Sequence, residues 1–257
     1  MYNISANTLF VGKKNVYLPT CQSTNDEAVL HINSQNAIEG TTFITSQQTK
    51  GRGQRGNTWK SQTDKNITVS VILKPKFLSA QNQFCLNLIS SLAVLDTFSE
   101  FVPEGLSVKW PNDLYYQDQK IGGILIENML SKDIISYSVI GIGLNINQRE
   151  FGNLNATSLG NIKNTVFQLS SLYEILFQHL EKRYLQAQRK GTDFLKTNYL
   201  ASLYWYQEQH LFEDLRNSKK EHFFEGQILG IDKNGRLAIE IKGTIAYFNF
   251  KEVRFCK

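Results

Sequence analysis

At 257 residues and 41% hydrophobic content, the chain can bury one large core, or a core with a small satellite. Lys and Arg number 28 against 23 Asp and Glu, a formal charge of +5, yet the densest basic groups, Lys13-Lys14 and Lys219-Lys220, are pairs and not a stripe that would grip nucleic acid. No run of about 18 apolar residues offers a bilayer span, and the first residues lack the basic-then-apolar pattern of a secretory signal.

Three scattered cysteines, Cys21, Cys85 and Cys256, form no CxxC pair and fit a reduced, cytoplasmic compartment. His31, His179, His210 and His222 show no metal-ligand spacing.

In chain order, Val16-Tyr17-Leu18 reads as a short strand ended by Pro19. Ser23-Thr24-Asn25-Asp26-Glu27 holds overlapping capping boxes that open a helix through about Ser34. Thr41 to Ser46, then Asn66 to Leu73, are rich in β-branched residues and read as strands. Phe84, Leu88, Leu92 and Leu95 recur at helical spacing, predicting a helix from Ser79 to Phe101. Val108-Lys109-Trp110 is a strand stopped by Pro111; Leu114–Tyr116 and Ile121–Asn128 form a hairpin; Ile134–Leu144 is a buried strand.

Asn164 to Gln188 is helical, with Val166, Leu169, Leu172, Tyr173, Leu176 and Leu180 on one face, and a further helix runs from Thr192 to about Tyr204. The polar run from Arg216 to Glu221 reads as a linker. Beyond it the chain is strand-dominated, with a hairpin signal at Asp232-Lys233-Asn234-Gly235 and Phe248, Phe250 and Phe255 expected in the core. The predicted class is α+β: a mixed β-sheet with helices packed on one side over residues 1–216, plus a small β-barrel over 217–257.

Two stretches carry chemistry. Gly51-Arg52-Gly53-Gln54-Arg55-Gly56 joins backbone amides that can approach an anion to two guanidiniums, in a loop expected to be mobile when empty. Gln48 precedes it and Trp59 follows, offering a flat surface for a ring. No Gly-Lys-Ser/Thr closes the loop, so it is not a Walker A motif. Pro111-Asn112-Asp113 alone is an ordinary turn. A hairpin that returns to Lys120-Ile121-Gly122-Gly123 can place Lys120 beside that turn, with the glycines clearing space along the strand.

Ser23-Thr24-Asn25, Gln48 through Trp59, Lys109 through Asp113, Lys120 through Glu127 and Gly141-Ile142-Gly143-Leu144-Asn145, in that order and spacing, resemble biotin protein ligase. The resemblance implies a class II synthetase-like catalytic domain with an SH3-like C-terminal barrel. It also implies formation of biotinyl-5′-AMP from biotin and ATP, with Mg²⁺, and transfer of biotin to a lysine of a biotin carboxyl carrier protein.

It assigns Ser23, Thr24, Asn25, Gln48, Gly51, Arg52, Gly53, Gln54, Lys120, Gly122 and Gly123 to biotin. Arg55, Trp59, Asn112, Asp113 and Asn145 fall to ATP, and Asp113 to the metal. Lys120, Arg52 and Asp113 are the expected catalytic residues.

Many members of that family carry arginine at the position of Gln54, so Arg52 and Arg55 are expected to supply the loop's charge. Only 22 residues precede Ser23, too few for the helix-turn-helix domain of the repressor forms. The expectation is therefore a dedicated ligase, a monomer or weak homodimer, without nucleic-acid or membrane partners. A lipoate-protein ligase or octanoyltransferase of the same fold is the alternative.

Overall fold

β-branched and aromatic runs supply the strands, and β3 (Ile67–Leu73), buried along its whole length, lies inside the larger sheet next to its middle strand. The computed structural model describes residues 4–34, 37–216 and 222–256. The other strands of this sheet are β1 (Asn15–Cys21), β2 (Thr42–Gln48), β4 (Leu106–Lys109), β5 (Asp113–Tyr116), β6 (Gln119–Ser131) and β7 (Ile134–Leu144). Their order is β1-β2-β3-β7-β6-β5-β4. Only β1 and β2 pair in parallel, so the sheet is mixed, as expected. β1 continues through Pro19 to Cys21; as an edge strand it tolerates the missing donor.

The helices are α1 (Thr24–Ser34), α2 (Cys85–Ser99), α3 (Leu159–Lys163), α4 (Leu169–Lys190) and α5 (Asp193–Ala201). Ile67, Val69 and Val71 of β3 join the core formed with α2, α4 and α5, the expected helical side. Ile72 turns the other way and packs with Phe43 and Val139 against Ala28 and Ile32 of α1. Thus α1 covers the opposite face, and that face carries the site.

The helix expected from Asn164 starts only at Leu169. Asn164 adopts φ +48 and ends α3, a left-handed turn that asparagine tolerates. Val166 therefore lies in the connection, 76% exposed, and does not join the buried face. At the N-terminal side, the buried carboxylate of Glu181 on α4 accepts the backbone N–H groups of Leu9, Phe10 and Val11 at 2.6, 2.7 and 3.0 Å.

The second sheet contains β8 (Gln209–Asp214), β9 (Phe223–Ile231), β10 (Leu237–Ile241), β11 (Thr244–Phe248) and β12 (Val253–Cys256), in the order β11-β10-β9-β8-β12. β8 lies upstream of position 217, where the small unit was expected to start. The expected linker residues 217–221, including Lys219-Lys220, lie outside the described residues. The expected C-terminal β unit is thus present as a five-stranded sheet, with β11 and β12 at the ends of its order among the described residues.

Of the expected core phenylalanines, Phe248 is fully buried while Phe250 and Phe255 are partly so. The Asp232–Gly235 turn docks this sheet onto the first. Gly235, at φ +81, comes so close to Phe84 that a Cβ would lie 2.3 Å from its ring. Its carbonyl accepts the Trp110 Nε1 hydrogen at 2.9 Å.

Candidate active site

Strand register builds the floor. Thr68, Gly143, Gly123 and Asp113 align across β3, β7, β6 and β5, and Ser70, Gly141 and Leu125 form the next row. Successive side chains alternate faces, so these residues share the α1 side. A glycine trench results. A Cβ at Gly141 would lie 2.3 Å from Asn25 Oδ1, and one at Gly143 2.5 Å from the Trp59 ring; the absent side chains are what admit both groups. The same alternation turns Gly122 to the core, where a Cβ would meet Leu144 at 2.8 Å. Both glycines of the pair were expected to face ligand; Gly123 lines the cavity over this floor and Gly122 does not.

Over this floor lies a cavity of about 480 Å³. Ser23, Thr24, Asn25, Gln48, Arg52, Gly53, Gln54, Trp59, Asn112, Asp113, Lys120 and Gly123 all line it. Residues far apart in the chain are thus brought together, and Lys120 shares the cavity with Arg52. The structure adds Leu215, Lys251, Val253, Arg254 and Phe255, so the second sheet forms a wall of the site. Lys109 also lines it, its ammonium 5.0 Å from the Tyr115 ring centroid and 4.9 Å from that of Phe255. Burial, with Asp113 and Asp118 nearby, pushes the Tyr115 phenol up to about 12.

A polar chain runs through the α1 end. Gln48 Oε1 accepts the Thr24 N–H at 2.8 Å; Thr24 and Ser70 hydroxyls meet at 2.7 Å; Ser70 Oγ donates to Asn25 Oδ1 at 2.6 Å. Asn25 Nδ2 donates to Glu127 Oε2 at 2.7 Å. The Arg52 guanidinium, through Nη2, meets Asp26 Oδ1 at 2.6 Å and Glu127 Oε2 at 2.9 Å. At the other end Lys120 Nζ pairs with Asp113 Oδ1 at 2.6 Å. Asn112 Nδ2 donates to the Ile124 carbonyl, tying the turn to β6.

Two expected residues do other work. Gly51 lets the loop close on itself: Trp59 N–H donates to its carbonyl at 2.9 Å, and a Cβ would lie 2.3 Å from the Trp59 carbonyl oxygen. The loop is a small hairpin around a 3-10 turn at Gln54–Gly56. Asn145 is buried beneath the site, its Nδ2 donating to the Thr157 carbonyl at 3.0 Å and the Lys120 carbonyl at 3.4 Å. It braces the strand that carries Lys120 and does not line the cavity. The Arg55 side chain lies outside the described residues.

Ser70, Asp26 and Glu127 went unassigned in the sequence, as did roles for Gly141 and Gly143, although the i, i+2 spacing of the last two already puts them on one strand face.

Residues 17–145 match the model of the biotin/lipoate A/B protein ligase family. The chain belongs to that family. Across 91% of its length the chain is 29% identical to the bifunctional ligase/repressor BirA of Bacillus subtilis, spanning 71% of that protein. The biotin–[acetyl-CoA-carboxylase] ligase of Mycobacterium tuberculosis is 31% identical over 64% of this chain and 61% of its own. The solved biotin protein ligase of Aquifex aeolicus in complex with biotin and ATP superposes with a TM-score of 0.77 at 26% identity, over 95% of this chain and 100% of that one. The resemblance to biotin protein ligase drawn from the motifs is borne out. No helix among the described residues is long and apolar enough to cross a membrane.

Proposed function

We propose that the protein is an ATP-dependent biotin protein ligase that forms biotinyl-5′-AMP and passes biotin to a lysine of a carboxyl carrier protein. The observation that carries this reading is a single cavity holding the Lys120–Asp113 pair at one end and the Asn25–Ser70–Thr24–Gln48 polar chain at the other. Biotin has an apolar bicycle, a ureido group and a distant carboxylate. A trench with neutral donors and acceptors at one end and an ammonium at the other matches that layout.

In this reading the ureido group lies against Ser23, Thr24, Asn25 and Gln48, with the bicycle running from them along the trench toward Gly123. The carboxylate reaches Lys120, exchanging the Asp113 contact for its own. A carboxylate oxygen attacks the α-phosphorus of ATP, the bond to the β-phosphate oxygen breaks, and pyrophosphate leaves. Lys120 supplies positive charge where the transferring phosphoryl group needs it, fixed in place before the reaction.

Trp59 Nε1 is buried with no acceptor among the described residues, and a nucleotide beside the ring would supply one. Lys251 and Arg254 bring cations from the second sheet to the phosphate end. Mg²⁺ would bind the Asp113 carboxylate and the ATP phosphates; one carboxylate with phosphate oxygens is a donor set this hard cation accepts, and it would offset charge on the phosphates.

In the second half-reaction a neutral lysine amine attacks the anhydride carbonyl, AMP leaves, and Asp113 orients the amine or takes its proton. The enclosing loop keeps water from the anhydride. ATP–pyrophosphate exchange tests the reading: biotin is expected to support it and lipoate is not. Exchange with lipoate alone would reassign the enzyme to the alternative substrate.

A further inference from the structure

A carboxylate can only accept hydrogen bonds, so its position dictates which way a neighbouring amide must face. Glu127 on β6 uses one oxygen, Oε2, for two donors from different parts of the site: Asn25 Nδ2 at 2.7 Å and Arg52 Nη2 at 2.9 Å. The first contact forces Asn25 to present Nδ2 to β6 and Oδ1 to Ser70, where the space left by Gly141 receives it. The second contact reaches the glycine–arginine loop. Asp26 holds the same Arg52 nitrogen but not the Asn25 amide in the hydrogen bonds among the described residues.

The charges at this corner sum to −1, one guanidinium against two carboxylates, so Arg52 offers an incoming anion little net attraction there. Its geometry is that of a fastener between the loop and the cavity wall.

We infer that Glu127 is a positioning residue that couples the two: it sets the hydrogen-bonding direction of Asn25 inside the pocket and, through Arg52, holds the loop over it. This inference rests on the reading of the cavity as a biotin site. Filling of the pocket and closure of the loop then share one carboxylate, and a ligand that orders Asn25 stabilises the closed loop.

Glu127→Gln and Asp26→Asn separate the two duties. Both weaken one side of the Arg52 contact, whereas only Glu127→Gln lets the Asn25 amide face either way, because glutamine can donate as well as accept. Biotin affinity without ATP, the split of KM for biotin against kcat in pyrophosphate exchange, and hydrogen exchange of residues 51–56 in the ligand-free protein are the readouts.

Glu127→Gln is expected to weaken biotin about tenfold and to raise KM with kcat changed less than about threefold. Asp26→Asn weakens biotin about threefold or less, as expected of an exposed ion pair. Both variants exchange faster at 51–56, with melting temperatures near that of the unaltered protein. Glu127→Gln with unchanged biotin affinity and unchanged loop exchange would overturn the inference, as would equal weakening by both substitutions. If the unaltered protein neither binds biotin nor supports exchange, the biotin reading fails by itself. The loop measurement still decides whether Glu127 fastens the loop.

Discussion

Replacing Gly141 with alanine adds one methyl group, yet the structure predicts a large effect. That Cβ would lie 2.3 Å from Asn25 Oδ1, closer than real Cβ contacts come, and 3.0 Å from its Cγ. β7 pairs on both sides, with Ser70 and Leu125 opposite Gly141, so the backbone has little room to retreat. Asn25 must move instead. Moving it breaks the 2.6 Å bond from Ser70 and the charge-assisted 2.7 Å bond to Glu127.

A neutral hydrogen bond contributes about 1 kcal/mol and one to a charged group about 1.5–3, so the pocket arrangement loses about 2–4 kcal/mol. Biotin binding, which uses that arrangement in the proposed function, is expected to weaken by about 30- to 1000-fold in titration calorimetry.

The cycle with Asn25→Ala tests the cause. Once Asn25 is truncated, the three atoms nearest the methyl group are gone, and Gly141 has no positive φ that alanine would resist. Gly141→Ala should then add nothing to the loss, and the two substitutions should be strongly non-additive. Normal biotin binding by Gly141→Ala, or full additivity with Asn25→Ala, would refute the reasoning.

Lys120→Ala is expected to lower the rate of pyrophosphate exchange by about 10²–10³-fold while leaving the melting temperature near its original value, because it removes one preorganised cation from a partly exposed position; near-normal exchange counts against its role. Gln54→Arg adds a charge to the loop and should slow release of biotinyl-5′-AMP, followed by its dissociation in a chase experiment; an unchanged rate removes electrostatic retention at that residue.

Glu181→Gln keeps the shape but loses the charge that three backbone donors share, lowering stability by about 2–3 kcal/mol, or about 5–10 °C in Tm, in thermal melts. Burial raises the phenols of Tyr115, to about 12, and of Tyr184, Tyr199 and Tyr204. Above pH 10 the unfolded chain releases protons that the folded one keeps, so stability should be flat with respect to these groups below pH 10 and fall above it. An ultraviolet titration should show a tyrosine fraction that ionises only as the protein unfolds.

The residues that line the cavity from Ser23 to Lys120 were largely legible: local chemistry marked the glycine–arginine loop and the turn with its hairpin lysine, and the family resemblance added Ser23, Thr24 and Asn25. Element types followed from periodicity, and Ile134–Leu144 emerged as predicted. Boundaries slipped where a single residue departed from the pattern, as when Asn164 entered the left-handed region and expelled Val166 from the helix.

What the sequence by itself determined was the set of reactive groups and their local order. Only the tertiary structure decided who meets whom. Asn25 finds Ser70 and Glu127 across 45 and 102 positions of chain, and the second sheet brings Lys251 and Arg254 to the same cavity. Strand register chose Gly123 over Gly122, turned Asn145 into a brace and gave Gly141 and Gly143 their purpose. Such pairings depend on the packing of whole elements, and no local spacing encodes them.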